Sequence, residues 1–461
     1  MWNLPVPKID KLLGIEVYAS ETTGVGGVIR ESVDDFVVEE VLVDGSKASI
    51  GKVAETRVLG ASDAKQRYLL CVLVKRNWDT FIALKNIAKQ IDVSQRQIQI
   101  AGIKDAKAVT AQHITIENCS MEDAAKINIK DIKIRPVGYV REKLSTYYLL
   151  GNSFTISIKS IKHSESTITK RVTETATALS AIGGIPNFFG HQRFGTTRPI
   201  THLVGKAIIE GDFEKAATLF LAKPSNHEHP SSRSARKELQ STQDFKRALQ
   251  NFPKQLRYER LMLKHLVEKP EDFVGAFRRL PVKLQALFVQ AYQSYLFNLF
   301  LSERVKKGFS LNMAEVGDFV VNVERSGLPM VNVAKVAGAE NLSEINALVK
   351  AGRMRVTLPL VGIKQSLSQG VMGHIEKQVL EEESVETGSF RVDEVPEISR
   401  RGGLRAVVTP IRDFKLLGTS ARAALQKAHQ ADLSFMLLRG SYATVLLREI
   451  MKPSDPIKAH F

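Results

Sequence analysis

A carboxylate set between two lysines is the first group in this sequence that could do chemistry. It lies in Ala101-Gly102-Ile103-Lys104-Asp105-Ala106-Lys107-Ala108-Val109-Thr110-Ala111-Gln112. A nearby cation lowers a carboxyl pKa, so Asp105 between Lys104 and Lys107 would stay ionised. An ionised Asp in a partly closed site can act as a nucleophile or as a general base. The same residues also describe a plain turn with a solvated ion pair, and their types alone leave both readings open. A second constellation is Asn187-Phe188-Phe189-Gly190-His191-Gln192-Arg193-Phe194-Gly195. Aromatic rings interleaved with amide, imidazole and guanidinium groups suit base stacking and phosphate contact. They equally suit a buried aromatic joint in which Arg193 is structurally paired. Two smaller features are Phe36, between Asp34-Asp35 and Glu39-Glu40, and Gly151-Asn152-Ser153-Phe154. An Asn beside a Phe can bond and stack on a base, or can cap a strand whose Phe enters the core.

Other chemistries find little support. Gly24-Val25-Gly26-Gly27 precedes a strand pattern rather than a helix, so it lacks the helix N-terminus that holds a phosphate. There is no GxxxxGK[ST], GxSxG, HExxH or CxxC. The two cysteines, Cys71 and Cys119, show no zinc or disulfide spacing. Lys and Arg number 65 against 49 Asp and Glu, a net charge of +16 over 461 residues. That excess points to a polyanion, nucleic acid before a membrane surface, with solubility alone as the plain alternative.

The elements that must position these groups read as follows. Val28–Val43 suggests a hairpin around an acidic turn. Tyr68–Val74 is a short apolar run expected as a buried strand. Asp79 is a good N-cap for a helix presenting Phe81, Leu84, Ile87, Ala88 and Ile91. Strands are expected at Gln97–Ile100 and Ala111–Ile116, bracketing the Asp105 loop, and at Phe154–Ile158. Strands with a single helix and no βαβα alternation predict an α+β sheet. Residues 205–307 are mostly helical in pattern. Within them, Lys223–Arg260 carries nine Lys/Arg against four Asp/Glu and reads as an exposed basic segment. Leu284–Ser302 has 19 residues without a charge, yet Gln290, Gln293, Ser294 and Asn298 form a polar stripe. A lipid-facing helix would not carry that stripe, so a buried helix facing an interface is expected. Glu376–Glu397 reads as a solvated acidic face, and Asp432–Glu449 as strand with a turn at Arg439-Gly440-Ser441-Tyr442. The first twenty residues lack the pattern of a secretory signal, so a soluble, cytoplasmic protein is expected.

Together these pieces resemble the TruD family of tRNA pseudouridine synthases. Residues 101–112 are similar to its catalytic motif Gly-x-Lys-Asp-x-x-Ala-Val-Thr-x-Gln, and 186–195 (PNFFGHQRFG) to the signature that joins its two domains. Residues 33–40 carry the Phe-x-x-x-Glu pattern, and 151–154 the Gly-Asn-x-Phe segment near the target base. Residues 294–298 (SYLFN) and 439–449 (RGSYATVLLRE) match motifs of the insertion and of the last strands. The resemblance implies a mixed α/β (α+β), V-shaped, two-domain fold. Its catalytic domain would be residues 1–183 plus 404–461, interrupted by a largely helical TRUD domain at 184–403. It implies isomerisation of a uridine in tRNA to pseudouridine, usually position 13 in the D arm, without cofactor or metal. Asp105 would be catalytic. Phe36 and Phe154 would stack on the base, and Asn152 would bond the uracil edge. Arg30 or Lys104 would pair with Asp105, and Glu40 would orient the pocket's basic group. Phe189 and Arg193 would add substrate contacts from the second signature, and Arg400, Arg401 and Arg405 would join Arg193 and the basic segment in a wall of the tRNA cleft. A monomer without a membrane or obligatory protein partner is expected. A catalytically silent RNA-binding protein on the same fold is the alternative, opposed by the intact Asp105 motif.

Overall fold

Runs of β-branched and aromatic residues build one large mixed sheet around the Asp105 loop. The computed structural model describes residues 4–51, 58–421 and 428–461. Its strands, in chain order, are β1 (Phe36–Leu42), β2 (Tyr68–Arg76), β3 (Ile98–Ile100), β4 (Val109–Glu117), β5 (Ile132–Val140), β6 (Leu149–Ile161) and β7 (Ile185–Pro186). They continue as β8 (Phe319–Val323), β9 (Pro329–Val336), β10 (Met354–Leu360), β11 (Gly403–Ala406), β12 (Val408–Thr409), β13 (Arg412–Ala421) and β14 (His429–Leu438). The large sheet runs β13-β14-β6-β1-β4-β2-β5, with β3 also on β4. Its one parallel pair is β1 with β4; the other neighbours are antiparallel.

Burial explains the composition of β2. Leu69, Cys71 and Leu73 enter one core, while Leu70 and Val72 enter clusters on the other face. A strand covered on both sides reads as a continuous apolar run. The helix Thr80–Gln90 begins where expected: Asp79 accepts from the backbone N–H of Phe81 and Ile82. Leu84, Ile87 and Ala88 are buried on it, whereas Phe81 is half exposed. The expected hairpin over Val28–Val43 does not form. Ser32 caps a 3-10 turn at Val33–Asp35, Asp35 bonds back to the Ser32 N–H, and only β1 follows as a strand. Val28 instead bridges to Lys159.

Between Thr201 and Lys306 the chain is helical, and the 25-residue helix Val282–Lys306 is its axis. Among the described residues no helix is long and apolar enough to cross a membrane. The polar stripe of this helix is spent on neighbours. Asn298 Oδ1 accepts from the Phe189 N–H, and its amide donates to the carbonyls of Leu13 and Phe189. Gln293 donates to the Val361 carbonyl. The helix Thr201–Ile209 lies so close that a Cβ on Gly205 would sit 2.0 Å from the Phe288 carbonyl oxygen. Only glycine permits that approach.

Three expectations are corrected here. Lys223–Arg260 keeps most of its basic side chains exposed but not all, and it is helical, forming Pro230–Thr242 and Phe245–Asn251 and entering Arg257–Glu268. Arg236 is buried there, bonded to Glu228 at 3.0 Å and Glu259 at 2.6 Å. The acidic stretch from Glu376 is not wholly solvated either. Glu376 is buried in the helix Gly370–Glu382, accepting from the backbone and hydroxyl of Ser368. Asp432–Glu449 is half helix, since Ala443–Met451 follows the turn after β14.

Residues 319–406 contribute a second sheet, ordered β11-β10-β8-β9. The expected boundary at 403/404 falls inside β11, which pairs with β10, so the chain returns toward the large sheet only after Ala406. It leaves and returns through the short ribbon of β7 with β12. A continuous apolar core runs through this joint, from Phe154 and Ile156 on the large sheet to Phe297 and Val356 beyond it.

Candidate active site

Period-two alternation sets the floor of the site. Phe36, Val38 and Glu40 share one face of β1. Antiparallel register places Phe154 opposite Val38 and Asn152 opposite Glu40 on β6. On the other side of β6, Phe435 of β14 stands beside Phe154, the two rings stacked at 5.3 Å. Phe36 meets Phe154 edge-on at 6.2 Å. A Cβ on Gly151 would meet the Leu437 carbonyl oxygen at 2.1 Å, so glycine there lets β6 and β14 close.

Above this floor lies an open cleft of about 750 Å³. Its walls include Arg30, Phe36, Gly102, Ile103, Lys104, Asp105, Asn152, Phe154 and the turn Arg439–Tyr442. Six of the predicted site residues therefore meet in one place, and Glu40 lies directly behind Lys104. Asp105 is about one-third exposed, and its Oδ1 accepts from Arg30 at 3.2 Å. Arg30 comes from 75 positions earlier, in a left-handed backbone conformation (φ 56°) that few non-glycine residues adopt. Such strain is held only where surrounding contacts over-determine it. Here they do: the Arg30 guanidinium lies 3.9 Å from the Phe36 ring centre and also donates to the His460 carbonyl, while Ile29 donates to Ala459. Burial pulls the Arg30 pKa down, and the Asp105 charge opposes that shift.

Lys104 is not the partner of Asp105. Its ammonium turns away to Glu40 at 3.2 Å, with both side chains buried. Burial raises the Glu40 carboxyl above its ordinary range, with Lys104 opposing. Lys107 is exposed. The lysines that flank Asp105 in sequence are thus directed elsewhere, since neighbours in an extended loop point to different sides.

The loop backbone is fastened from behind at successive residues. Gln112 donates to the Gly102 carbonyl at 3.1 Å. The Thr80 hydroxyl donates to the Lys104 carbonyl and accepts from its N–H. Lys75 Nζ donates to the Asp105 carbonyl at 2.7 Å and to Trp78 at 2.8 Å. Sequence reading missed Lys75 and Thr80, and it named Gln192, Arg439 and Tyr442 within motifs without placing them at the cleft. A lysine following the apolar run 68–74 looks like the end of a strand; its burial is visible only once β4 and β5 flank it.

Phe189 and Arg193 lie at the joint and do not line the cleft. Phe189 is buried against Phe297 and Tyr442, with the Arg405 guanidinium 4.0 Å from its ring centre. Arg193 bonds Ser294 at 3.0 Å and reaches toward Gln290 on the long helix. The neighbouring His191 bonds Asp10 at 2.7 Å, and Arg448 holds the other Asp10 oxygen at 2.6 Å. The second signature therefore ties the N-terminal segment, the long helix and the helix after β14 together. Only its exposed Gln192 reaches the cleft wall.

A carboxylate held by a guanidinium at the mouth of an aromatic-floored cleft is equipped for attack on, or proton removal from, a planar-ring substrate. Comparison with known proteins identifies the family. The family described as tRNA pseudouridine synthase D (TruD) matches residues 12–450. A protein named as a tRNA pseudouridine synthase D in Methanosarcina barkeri is 40% identical over 456 residues, covering 99% of this chain and all of that one. One so named in Pyrococcus abyssi is 36% identical over 436 residues, covering 94% and 98%. A crystal structure from Methanosarcina mazei, described as tRNA pseudouridine synthase D (TruD), superimposes with a TM-score of 0.82 at 38% identity, covering 97% and 99%. With sequence and fold matched along nearly its whole length, the chain belongs to the TruD family.

Proposed function

We propose that this protein isomerises a specific uridine of tRNA to pseudouridine, with position 13 of the D arm as the expected target and Asp105 as the catalytic residue. The observation that carries this reading is the Arg30–Asp105 pair at the rim of a cleft whose floor is Phe36, Phe154 and Asn152. Uracil must leave C1′ of the ribose, turn, and rejoin through C5. No electrons and no group are exchanged with a second reactant, so the reaction calls for no cofactor. Asp105 either attacks C1′ and displaces the base, or removes the C2′ proton to give a glycal. In both courses the N1–C1′ bond breaks, the base stays in the cleft and C5 bonds to C1′; the C5 proton leaves and N1 takes up a proton, while the carboxylate is regenerated by departing from C1′ or by returning its proton to C2′. The second carboxylate oxygen has no hydrogen-bond partner among the described residues, which suits either role.

The base must leave its stack to arrive there, at a cost of a few kcal/mol. Stacking on an aromatic floor offsets this by about 1–3 kcal/mol. Asn152 Oδ1 is buried without a partner, fitting an acceptor for a uracil N–H. We further assign residues 184–406 to an insertion that forms the second wall of the tRNA site, the protein acting as a cytoplasmic monomer. The test is incubation with unmodified tRNA transcript, without cofactor, followed by carbodiimide mapping of pseudouridine. Wild type should form product and Asp105→Asn none, with tRNA affinity nearly unchanged. Wild-type turnover by Asp105→Asn would remove Asp105 from its role. No product from wild type would leave the RNA-binding reading.

A further inference from the structure

The loop that carries Asp105 faces the cleft mouth and is also held from beneath. Lys75 is fully buried on β2, and its ammonium makes two short bonds, both to backbone carbonyls: Asp105 at 2.7 Å and Trp78 at 2.8 Å. A buried ammonium is costly to desolvate, and a neutral residue of similar size packs at least as well in most cores. Keeping a lysine here, bonded to the backbone of the very residue that carries the reactive carboxylate, points to a task at the site. Trp78 precedes the helix Thr80–Gln90, whose first residue grips Lys104 through its hydroxyl. Lys75 and Thr80 thus fix the peptides on both sides of the Asp105 Cα. The direction of its carboxylate toward the Arg30 guanidinium then follows.

We propose that Lys75 is a positioning residue for the reaction: from beneath the loop its charged ammonium holds the Asp105 carbonyl and so aims the Asp105 carboxylate into the cleft. This rests on the assignment of Asp105 made above. The charges facing Lys75 are Asp105 from the loop, Asp79 from the helix cap and Lys104 from the loop. Its strand neighbours Thr110 on β4 and Ile132 on β5 carry no charge. Burial draws the Lys75 pKa down to about 8, with both carboxylates opposing. The ammonium therefore loses its proton within the range of an ordinary rate assay, and above it the hold on the loop weakens.

Single-turnover rates and tRNA dissociation constants of wild type, Lys75→Met and Lys75→Arg, measured from pH 6 to 9.5 with unmodified transcript, test this. Wild type should slow as pH rises through about 8. Lys75→Met should bind tRNA as wild type does but react about 100-fold more slowly, the penalty of a roughly 1 Å misplacement, and its profile should lack the alkaline limb. Lys75→Arg, charged throughout, should be faster than Lys75→Met and equally free of that limb. A wild-type rate for folded Lys75→Met would overturn the proposal. If Lys75→Met does not fold, the wild-type profile decides, and a flat rate through pH 9 overturns it. If wild type forms no pseudouridine at all, the functional reading fails rather than this one.

Discussion

Asp105 shows how little of a carboxylate's environment comes from its sequence neighbours. The flanking residues suggested Lys104 or Lys107 as the cation and the family resemblance Arg30 or Lys104; the structure places Arg30 there at 3.2 Å, itself held by the Phe36 ring and the His460 carbonyl. Replacing Arg30 by Met should keep the Phe36 contact and remove the charge. We expect tRNA affinity to change little and the rate of base cleavage to fall by roughly 10²–10³-fold, as when one charge-bearing partner of a reacting group is removed. Rapid-quench turnover with tRNA in excess of its Kd measures this, and an unchanged rate would show that Asp105 needs no guanidinium. The residues lining the floor were legible because strand alternation and an Asn or Phe in a motif are local facts. Lys75, Thr80 and Arg439 were not, because their importance lies in what they touch across the sheet. Arg439 reaches the carbonyl of Thr146 at 2.6 Å, almost 300 positions away in sequence.

At the scale of elements, the long helix Val282–Lys306 is the clearest case of a readable pattern. Its uncharged run imitates a membrane span, and its amide and hydroxyl stripe reveals a polar interface. Asn298 is the centre of that interface, satisfying the Phe189 N–H and two carbonyls. Asn298→Leu should destabilise the protein by about 3 kcal/mol or more, because three buried backbone groups lose a partner at about 1–3 kcal/mol each. Urea unfolding followed by tryptophan fluorescence checks this, and a loss under 1 kcal/mol would mean that the joint tolerates unpaired groups. Elements were misread where charge was taken as a sign of exposure. Arg236 and Glu376 sit in stretches dense with charge, yet each is buried against specific partners. Amphipathic helices carry most of their charge outward, so composition shows the outer face and hides the one buried group that matters. The failed hairpin at Val28–Val43 has a different cause: β1 finds a parallel partner 72 positions later, and no local pattern announces that pairing.

Over the whole molecule, the +16 charge is unevenly neutralised. At the joint, Arg193 bonds only uncharged side chains, Arg405 bonds Asn187 and the Gly440 carbonyl, and the Arg400 Nε is buried without a partner. Burial lowers the pKa of all three, Arg405 to about 10, and Arg193 adds repulsion on the other two. A phosphate would relieve that repulsion. Binding of tRNA to Arg193→Gln with Arg400→Gln, in an Asp105→Asn background, should show a salt slope shallower by about 1 than that of Asp105→Asn alone. Identical slopes between 50 and 200 mM KCl would place the RNA backbone elsewhere. The order of the large sheet has one more consequence, for synthesis on the ribosome. Strand β6 waits for β14, which pairs with Ile161 only from His429 onward. At roughly 5–20 residues per second, that leaves an open strand edge for roughly ten to fifty seconds, the interval in which a nascent chain is most exposed to wrong pairing. Ala459 and His460, which steady Ile29 and Arg30, arrive later still. A nascent chain that has not yet released residues 459 and 460 therefore lacks the two carbonyls that steady Ile29 and the guanidinium facing Asp105.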